Sequence, residues 1–415
     1  MRGAPPTALR CRMASRKRWM MSRSAGAKTA TAAVAVGVLA AASIYVFKHA
    51  ILATLGFARG LESESEAARV FWTLTIPTVG GAIVGLLSRY VLGPERHAGV
   101  SGIIEAAALW GGRLRYRRMP LKALGAAVSI GCGASLGPED PSVQIGANWG
   151  SFLGRIAGVD ASRMRALVAA GAAAGVAAAF KAPFAGLFFA AEIVLLGQVT
   201  GATLSTGMLA AAAAAAFEHA VAGGAPEFFT PPQVPGSPIT LIPLVPLGCA
   251  AALIAAFYER LLAADRRLFK KARIPAVAAP MSAGLALGAV ALVAPEIRGF
   301  GYDQIVAMLR AHPAPSAVAL LLAARLFATP LSLAGGFMGG VFAPTLVLGA
   351  AVGYLASIGC EAVGYEAVPP RTTFVVCGMA AFLAGAVRAP LTAALLVFES
   401  TGDYSLLLPL LVTIV

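Results

Sequence analysis

Two short stretches of this 415-residue chain have residue types and spacing suited to holding an anion. The first is Gly137-Pro138-Glu139-Asp140-Pro141-Ser142-Val143-Gln144-Ile145-Gly146. It reads as a turn followed by a helix start. Asp140 suits the N-cap and Pro141 the first helical residue, because a capping oxygen and a missing N–H both fit that end. Such a start leaves backbone N–H groups unpaired and carries about half a positive charge. In apolar surroundings that is a place for an anion. Glu139 sits directly before it, so its carboxylate is either a cap or a competitor for the anion. The second stretch, Phe342-Ala343-Pro344, opens another apolar helix.

The two starts occupy matching places in an internal repeat. Pro141-Ser142-Val143-Gln144-Ile145-Gly146-Ala147, with Gly150 after it, matches Pro344-Thr345-Leu346-Val347-Leu348-Gly349-Ala350, with Gly353 after it. Gly171 precedes Lys181-Ala182-Pro183 as Gly378 precedes Arg388-Ala389-Pro390, and Glu192 and Glu399 follow at equal distances. Two halves with broken helices at matching positions are the mark of inverted-repeat transport proteins, whose half-helix N-termini meet near the midplane and hold the ion. The two helix starts are therefore expected to face one shared site. Glu192 and Glu399 lie in apolar sequence, where a carboxylate is usually functional, yet their symmetry favours a shared structural role.

Composition supplies the setting. The chain is 58% hydrophobic and 13% charged, with a mean hydropathy of +0.79. A soluble protein of this size needs about 25% charged residues, so the expected class is an all-α integral membrane protein. Forty-six glycines and 26 prolines suit close helix contacts and broken helices within a bilayer. The net charge of +14 lies mainly in flanks and loops and has no aromatic interleaving, which argues against nucleic acid as a partner. The five cysteines are scattered and read as small apolar residues. No HExxH helix, metal-ligand pair or Ser/His/Asp set is present, so no enzyme chemistry and no metal or other cofactor is expected.

Residues 1–28 hold eight Lys or Arg and no acid, which reads as a cytoplasmic N-terminal tail. A membrane domain follows in two halves, 29–230 and 231–415. Spans are expected at Thr29 to Phe47 (with Ile51 to Phe57 continuing the same helix), Phe71 to Leu92 and Ala202 to Val221, and apolar segments resume at Leu241 to Leu262. Shorter, broken segments run over Ser101 to Trp110, Ala123 to Leu136, Pro141 to Ile156, Ala166 to Phe180 and Pro183 to Leu196. Ser101 to Trp110 is too short to cross, which takes about 20 residues. Residues 222–239 form a Pro/Gly-rich connector, Asp265 to Arg273 a basic loop, and Gly299-Phe300-Gly301-Tyr302 a further loop.

Three motifs resemble the CLC family of chloride channels and proton/chloride exchangers. Val100-Ser101-Gly102-Ile103-Ile104-Glu105 looks like the family's GSGIPE, Gly137-Pro138-Glu139-Asp140-Pro141 like GREGP, and Gly340-Val341-Phe342-Ala343-Pro344 like GxFxP. The resemblance implies a CLC-type inverted repeat of tilted, broken and re-entrant helices. It implies a homodimer with one pore per subunit, in a bacterial inner membrane, with chloride as the transported ion. It makes Glu139 the gating carboxylate, in or out of the outer anion site. Ser101 would offer a hydroxyl and Gly102, Val341, Phe342 and Ala343 the backbone around chloride. The bland alternatives are a hydroxyl of Ser101 spent on its own helix and a Glu139 that merely pairs with a helix end.

The departures bear on selectivity. Pro138 stands for the family's Arg or Lys and Asp140 for Gly, both beside the pore, and both are expected to weaken outer-site anion binding. The exchangers' inner proton-passing glutamate would fall at Ile193, next to Glu192, a possible inner carboxylate. That favours a passive chloride channel. The alternative is a proton-coupled antiporter of chloride, fluoride or nitrate, and the remote one a non-transporting scaffold. The chain stops at Val415 inside an apolar run, where a free carboxylate is costly, so a further C-terminal helix is expected.

Overall fold

The computed structural model describes residues 6–62, 65–93, 99–224, 226–228, 238–364 and 369–415. Among them, the regular structure is helical, apart from one isolated two-residue bridge. The first half holds α1 (Pro6–Glu62), α2 (Glu66–Leu86, prolonged by a π turn), α3 (Val100–Leu109), α4 (Met119–Gly131), α5 (Glu139–Ile156), α6 (Ala161–Phe180), α7 (Pro183–Phe189) and α8 (Gly201–Ala222). The second holds α9 (Leu244–Lys271), α10 (Ala278–Val293), α11 (Tyr302–Arg310), α12 (Pro315–Ala334), α13 (Phe342–Ala362), α14 (Arg371–Val387), α15 (Pro390–Thr401) and α16 (Leu407–Ile414).

Seven helices among the described residues are long and apolar enough to cross a bilayer. They alternate with shorter apolar helices such as α3, α4 and α15. This is a multi-pass integral membrane protein built of crossing and broken helices. Ile51 to Phe57 continues the first span within α1. The basic stretch expected as a loop from Asp265 is instead the helical tail of α9, which runs on to Lys271 with two lysines in its last turn, where cations favour the helix dipole. Much of the connector over 222–239 (225 and 229–237) lies outside the described residues.

The repeat governs packing. In α5 and α6, a Cβ placed on Gly146 would lie 2.0 Å from the Gly171 carbonyl oxygen. In α13 and α14, one placed on Gly349 would lie 2.3 Å from the Gly378 carbonyl. Backbones come this close only where side chains are absent, which is how helices gain van der Waals contact inside lipid. The symmetry also runs between halves: a Cβ on Gly81 of α2 would meet the Pro280 carbonyl at 2.2 Å, and one on Gly284 of α10 the Pro77 carbonyl at 2.2 Å.

Glu192 and Glu399 serve the same symmetry. Glu192 accepts from the N–H groups of Leu391 (3.1 Å) and Thr392 (2.7 Å) at the start of α15, and from the Thr392 hydroxyl at 2.5 Å. Glu399 accepts from the N–H groups of Phe184 (3.1 Å) and Ala185 (2.7 Å) at the start of α7. Each half therefore uses its carboxylate to cap a helix of the other half. The residues leading into the capped helices match as well, with Lys181 at φ 57° and Arg388 at φ 58°. A carboxylate on an otherwise orphaned helix start satisfies donors that lipid cannot.

Candidate anion site

The site lies where the two repeats touch. Gly137 and Gly340, at matching repeat positions, form an antiparallel bridge in which each N–H donates to the other's carbonyl, at 2.9 Å and 2.7 Å. From this bridge α5 and α13 depart, so their N-termini are neighbours by construction. Each has a proline at its third position, Pro141 and Pro344, which lacks a donor. The first helical bonds are Ser142 to Pro138 at 3.0 Å and Thr345 to Val341 at 2.9 Å. The helix-start donors left over are those before the two prolines, and of these the Ala343 N–H points across to Glu139.

Asp140 is not the N-cap of α5, nor is Pro141 its first helical residue. The helix opens at Glu139 with Pro138 at the cap position. The Asp140 carboxylate turns to α3, where Oδ1 accepts from the Val100 N–H at 2.9 Å, and Oδ2 accepts from Gln144 Nε2 at 2.8 Å. Sequence spacing suggested a cap for the nearest helix. The fold instead brings a helix start from forty residues upstream, whose own N-cap residue, Gly99, has no side chain to offer. The extra negative charge beside the motif is thus engaged with an N-terminus.

Glu139 is 1% exposed. Its Oε1 accepts from the Ala343 N–H at 3.1 Å and from the Tyr302 hydroxyl at 3.4 Å. Its Oε2 is buried and has no hydrogen-bond partner among the described residues. A Cβ on Gly137 would lie 2.0 Å from Oε2 and one on Gly340 2.7 Å, so the bridge forms a side-chain-free cradle for the carboxylate. An anionic group thus sits on the N-terminus of α13, in the place an anion would take. One unpartnered buried oxygen makes the ionised form costly there.

The other residues singled out in the sequence fall around this point or beside it. Val341 is the N-cap of α13, Phe342 its first residue and Ala343 its donor to Glu139. The Phe342 ring packs edge-on against Phe189, the last residue of α7, with centroids 5.8 Å apart. Pro138 is buried under the bridge. Ser101 is exposed in the first turn of α3, next to the Asp140-capped Val100, and Gly102 donates its N–H to Gly99 at 3.2 Å. Glu192 has both oxygens committed to α15.

Tyr302 is the residue that sequence reasoning passed over as part of a loop. Its signal was the repeat: it opens α11 after Gly301 (φ 86°), as Val100 opens α3 after Gly99 (φ 71°). Its ring is held edge-on by Phe228 at 5.2 Å and Phe300 at 4.9 Å. Arg325 of α12, fully buried, donates to the carbonyls of Phe300 (3.1 Å) and Glu296 (2.9 Å) and so fixes the loop that presents Tyr302.

Comparison with known proteins bears on the family and the fold. Residues 80–415 match the family described as voltage gated chloride channel. The chain is 35% identical over 360 residues to "Putative chloride channel protein ClcB-like" of Ralstonia nicotianae, covering 86% of this chain and 84% of that protein. It is 31% identical over 342 residues to "H(+)/Cl(-) exchange transporter ClcA" of Vibrio cholerae, covering 80% and 72%. Among solved structures, a slow cyanobacterial Cl−/H+ antiporter superimposes with a TM-score of 0.82 at 26% identity, over 93% of this chain and 92% of that one. With a matched repeat, a bridged pair of helix starts and a carboxylate seated between them, the chain belongs to the voltage-gated chloride channel, or CLC, family.

Proposed function

We propose that the protein moves chloride across the membrane in exchange for protons, with Glu139 as the group that both blocks the anion path and carries the proton. The observation that carries this is the Glu139 carboxylate on the Ala343 N–H. As an anion it occupies the helix end. Once protonated it loses most of its attraction for that donor, and a chloride takes the N–H groups of Val341, Phe342 and Ala343 in its place. Donors without a full positive charge bind chloride yet let it leave. The names of relatives and of the superimposable structure, exchanger and antiporter, support coupling over the passive channel first expected. The protein acts as a homodimer in a bacterial inner membrane with its basic N-terminus cytoplasmic, as the family resemblance and the charge of residues 1–28 suggest.

A passive channel is the second reading, favoured by one observation. The position expected for an inner proton-passing acid is Ile193, and the neighbouring Glu192 is committed as a cap. Reconstitution separates the two. An imposed chloride gradient is expected to drive protons uphill through the purified protein, and the zero-current potential to move with the pH gradient. Chloride current with a potential indifferent to pH establishes the channel instead.

Tyr302 is expected to stabilise the blocked state. Tyr302→Phe deletes one long hydrogen bond, worth about 1 kcal/mol. Chloride efflux at neutral pH is expected to rise by roughly fivefold, read with a chloride electrode. An unchanged efflux would show that the phenol does not hold the carboxylate.

A further inference from the structure

A cleft of about 680 Å³ lies between α1, α4 and α5, apart from the bridge and the gate. Its walls include Ser43 and Phe47 of α1, Met119 and Ala123 of α4, and Trp149 and Phe152 of α5. The volume is that of a small-molecule site, roughly 300–1,000 Å³. Two residues of the wall, Val46 (66% exposed) and Leu124 (55%), stand at the molecular surface. Both belong to apolar helices of the membrane domain, so the cleft opens toward hydrocarbon.

The polar side chains of the wall are spent within the protein. Trp149 Nε1 donates to Ser43 Oγ at 3.0 Å, and Ser43 Oγ donates to the Leu39 carbonyl at 2.7 Å. Asn148 Nδ2 donates to the Gln144 carbonyl at 2.7 Å. Asn148 Oδ1 has no partner among the described residues, but its surroundings cover it, so it offers an occupant nothing. What faces the space is aliphatic and aromatic surface, which suits an alkyl chain better than a polar ligand.

One end of the cleft is different. Met119 and Pro120 line it at the start of α4, and Arg113, Arg115, Arg117 and Arg118 lead into them. At the facing end of α5, Phe152 lines it and Arg155 follows within a turn. Hydrogen bonds lace the arginine-rich stretch to that end. The Ser151 hydroxyl accepts from the Leu114 N–H at 2.9 Å and donates to the Gly112 carbonyl at 2.9 Å, and Arg155 donates to the Leu114 carbonyl. Arg113, Arg115 and Arg117 are exposed, and no carboxylate lies within ion-pair distance of them among the described residues. An apolar slot with unneutralised guanidinium groups at one mouth fits an amphiphile with an anionic head.

We propose that this cleft holds an anionic glycerophospholipid of the surrounding bilayer, with an acyl chain between Phe47, Ala123 and Trp149 and the phosphate on Arg115 and Arg117. The planar fork of arginine matches phosphate oxygens, and basic pockets between membrane helices bind such heads. A zwitterionic lipid has the same chains but brings its own cation, and gains less from the arginines. From Met119 to Ala127, α4 offers about 12 Å of wall, enough to order the upper part of a chain. The chain rests on the helix that begins at Glu139, so occupancy steadies α5 from its lipid side, in a channel and an exchanger alike.

The full chain, purified in detergent and stripped of lipid, is titrated with dioleoyl-phosphatidylglycerol or dioleoyl-phosphatidylcholine. Bound lipid is counted by native mass spectrometry, and thermal unfolding is followed in parallel. Phosphatidylglycerol is expected to be retained at one per chain, at least about tenfold more tightly than phosphatidylcholine, and to raise the unfolding temperature as it fills the site. Arg115→Gln combined with Arg117→Gln is expected to erase that preference and leave only the weak binding of phosphatidylcholine. Ala123→Phe, which fills the slot, is expected to remove the retained lipid of both kinds. Equal retention of the two lipids by the parent overturns the proposal. So does a preference that survives the double arginine change, or a retained lipid that survives Ala123→Phe. Should Ala123→Phe fail to elute as a folded species, the parent and Trp149→Phe are compared in phosphatidylglycerol brominated along its chains. Bromine is expected to quench the parent by a larger fraction than Trp149→Phe, and equal fractional quenching overturns the proposal.

Discussion

Glu139→Ala is expected to raise chloride flux at neutral pH by at least about tenfold and to leave the flux indifferent to pH. The carboxylate holds its place through the Ala343 N–H, a hydrogen bond worth about 1.5–3 kcal/mol, and a longer, weaker one from the Tyr302 hydroxyl, against the cost of burying an oxygen with no partner. Truncation to alanine removes both the occupant and its titration, and it frees the Ala343 donor for chloride at every pH. Glu139→Gln separates the two effects. It keeps the size and a hydrogen-bonding end but cannot exchange a proton, so proton movement is lost whatever happens to the rate. Chloride-electrode efflux together with external pH recording reads both quantities. A flux that is the same in parent and Glu139→Ala at all pH values would mean that the side chain is a helix partner and not a gate.

The second large effect is on integrity. Glu192→Ala and Glu399→Ala are each expected to lower stability by about 3–5 kcal/mol, because each exposes two helix-start N–H groups that nothing else satisfies and removes a charge-assisted pair. The losses should be alike, since the two residues do the same work in opposite halves. Thermal unfolding in detergent, followed by loss of the monodisperse elution peak, checks this. A full-strength Glu192→Ala with normal unfolding but no proton movement would instead give Glu192 a transport role. Glutamine at either place is expected to be milder, as its carbonyl can still accept one of the two bonds.

Much of this architecture could be read from residue order. Matching prolines, glycines and glutamates placed the broken helices, because close backbone approach and missing donors leave few residue choices and so repeat visibly. The family motifs located Glu139, Phe342 and Ala343 for the same reason. What could not be read was contact between elements distant in sequence. Asp140 looked like a local cap because capping rules are local; its real partner, Val100, comes near only through the fold. Tyr302 carries no motif of its own, and its role arises from a loop held by Arg325. Lys48 looked like a mere interruption of an apolar run, and only the packing of α6 against α1 gives its ammonium a partner, the Ala178 carbonyl.

The paired glycines at the centre constrain how this protein can change state. Many carriers with inverted repeats expose their cargo by rocking one half against the other. Here the halves exchange backbone bonds at Gly137 and Gly340, and clasp each other's helices through Glu192 and Glu399. Any such tilt would have to break the seam in the middle of the ion's route. The seam leaves motion on the scale of a side chain, such as that of Glu139, as the change of state that keeps these bonds intact.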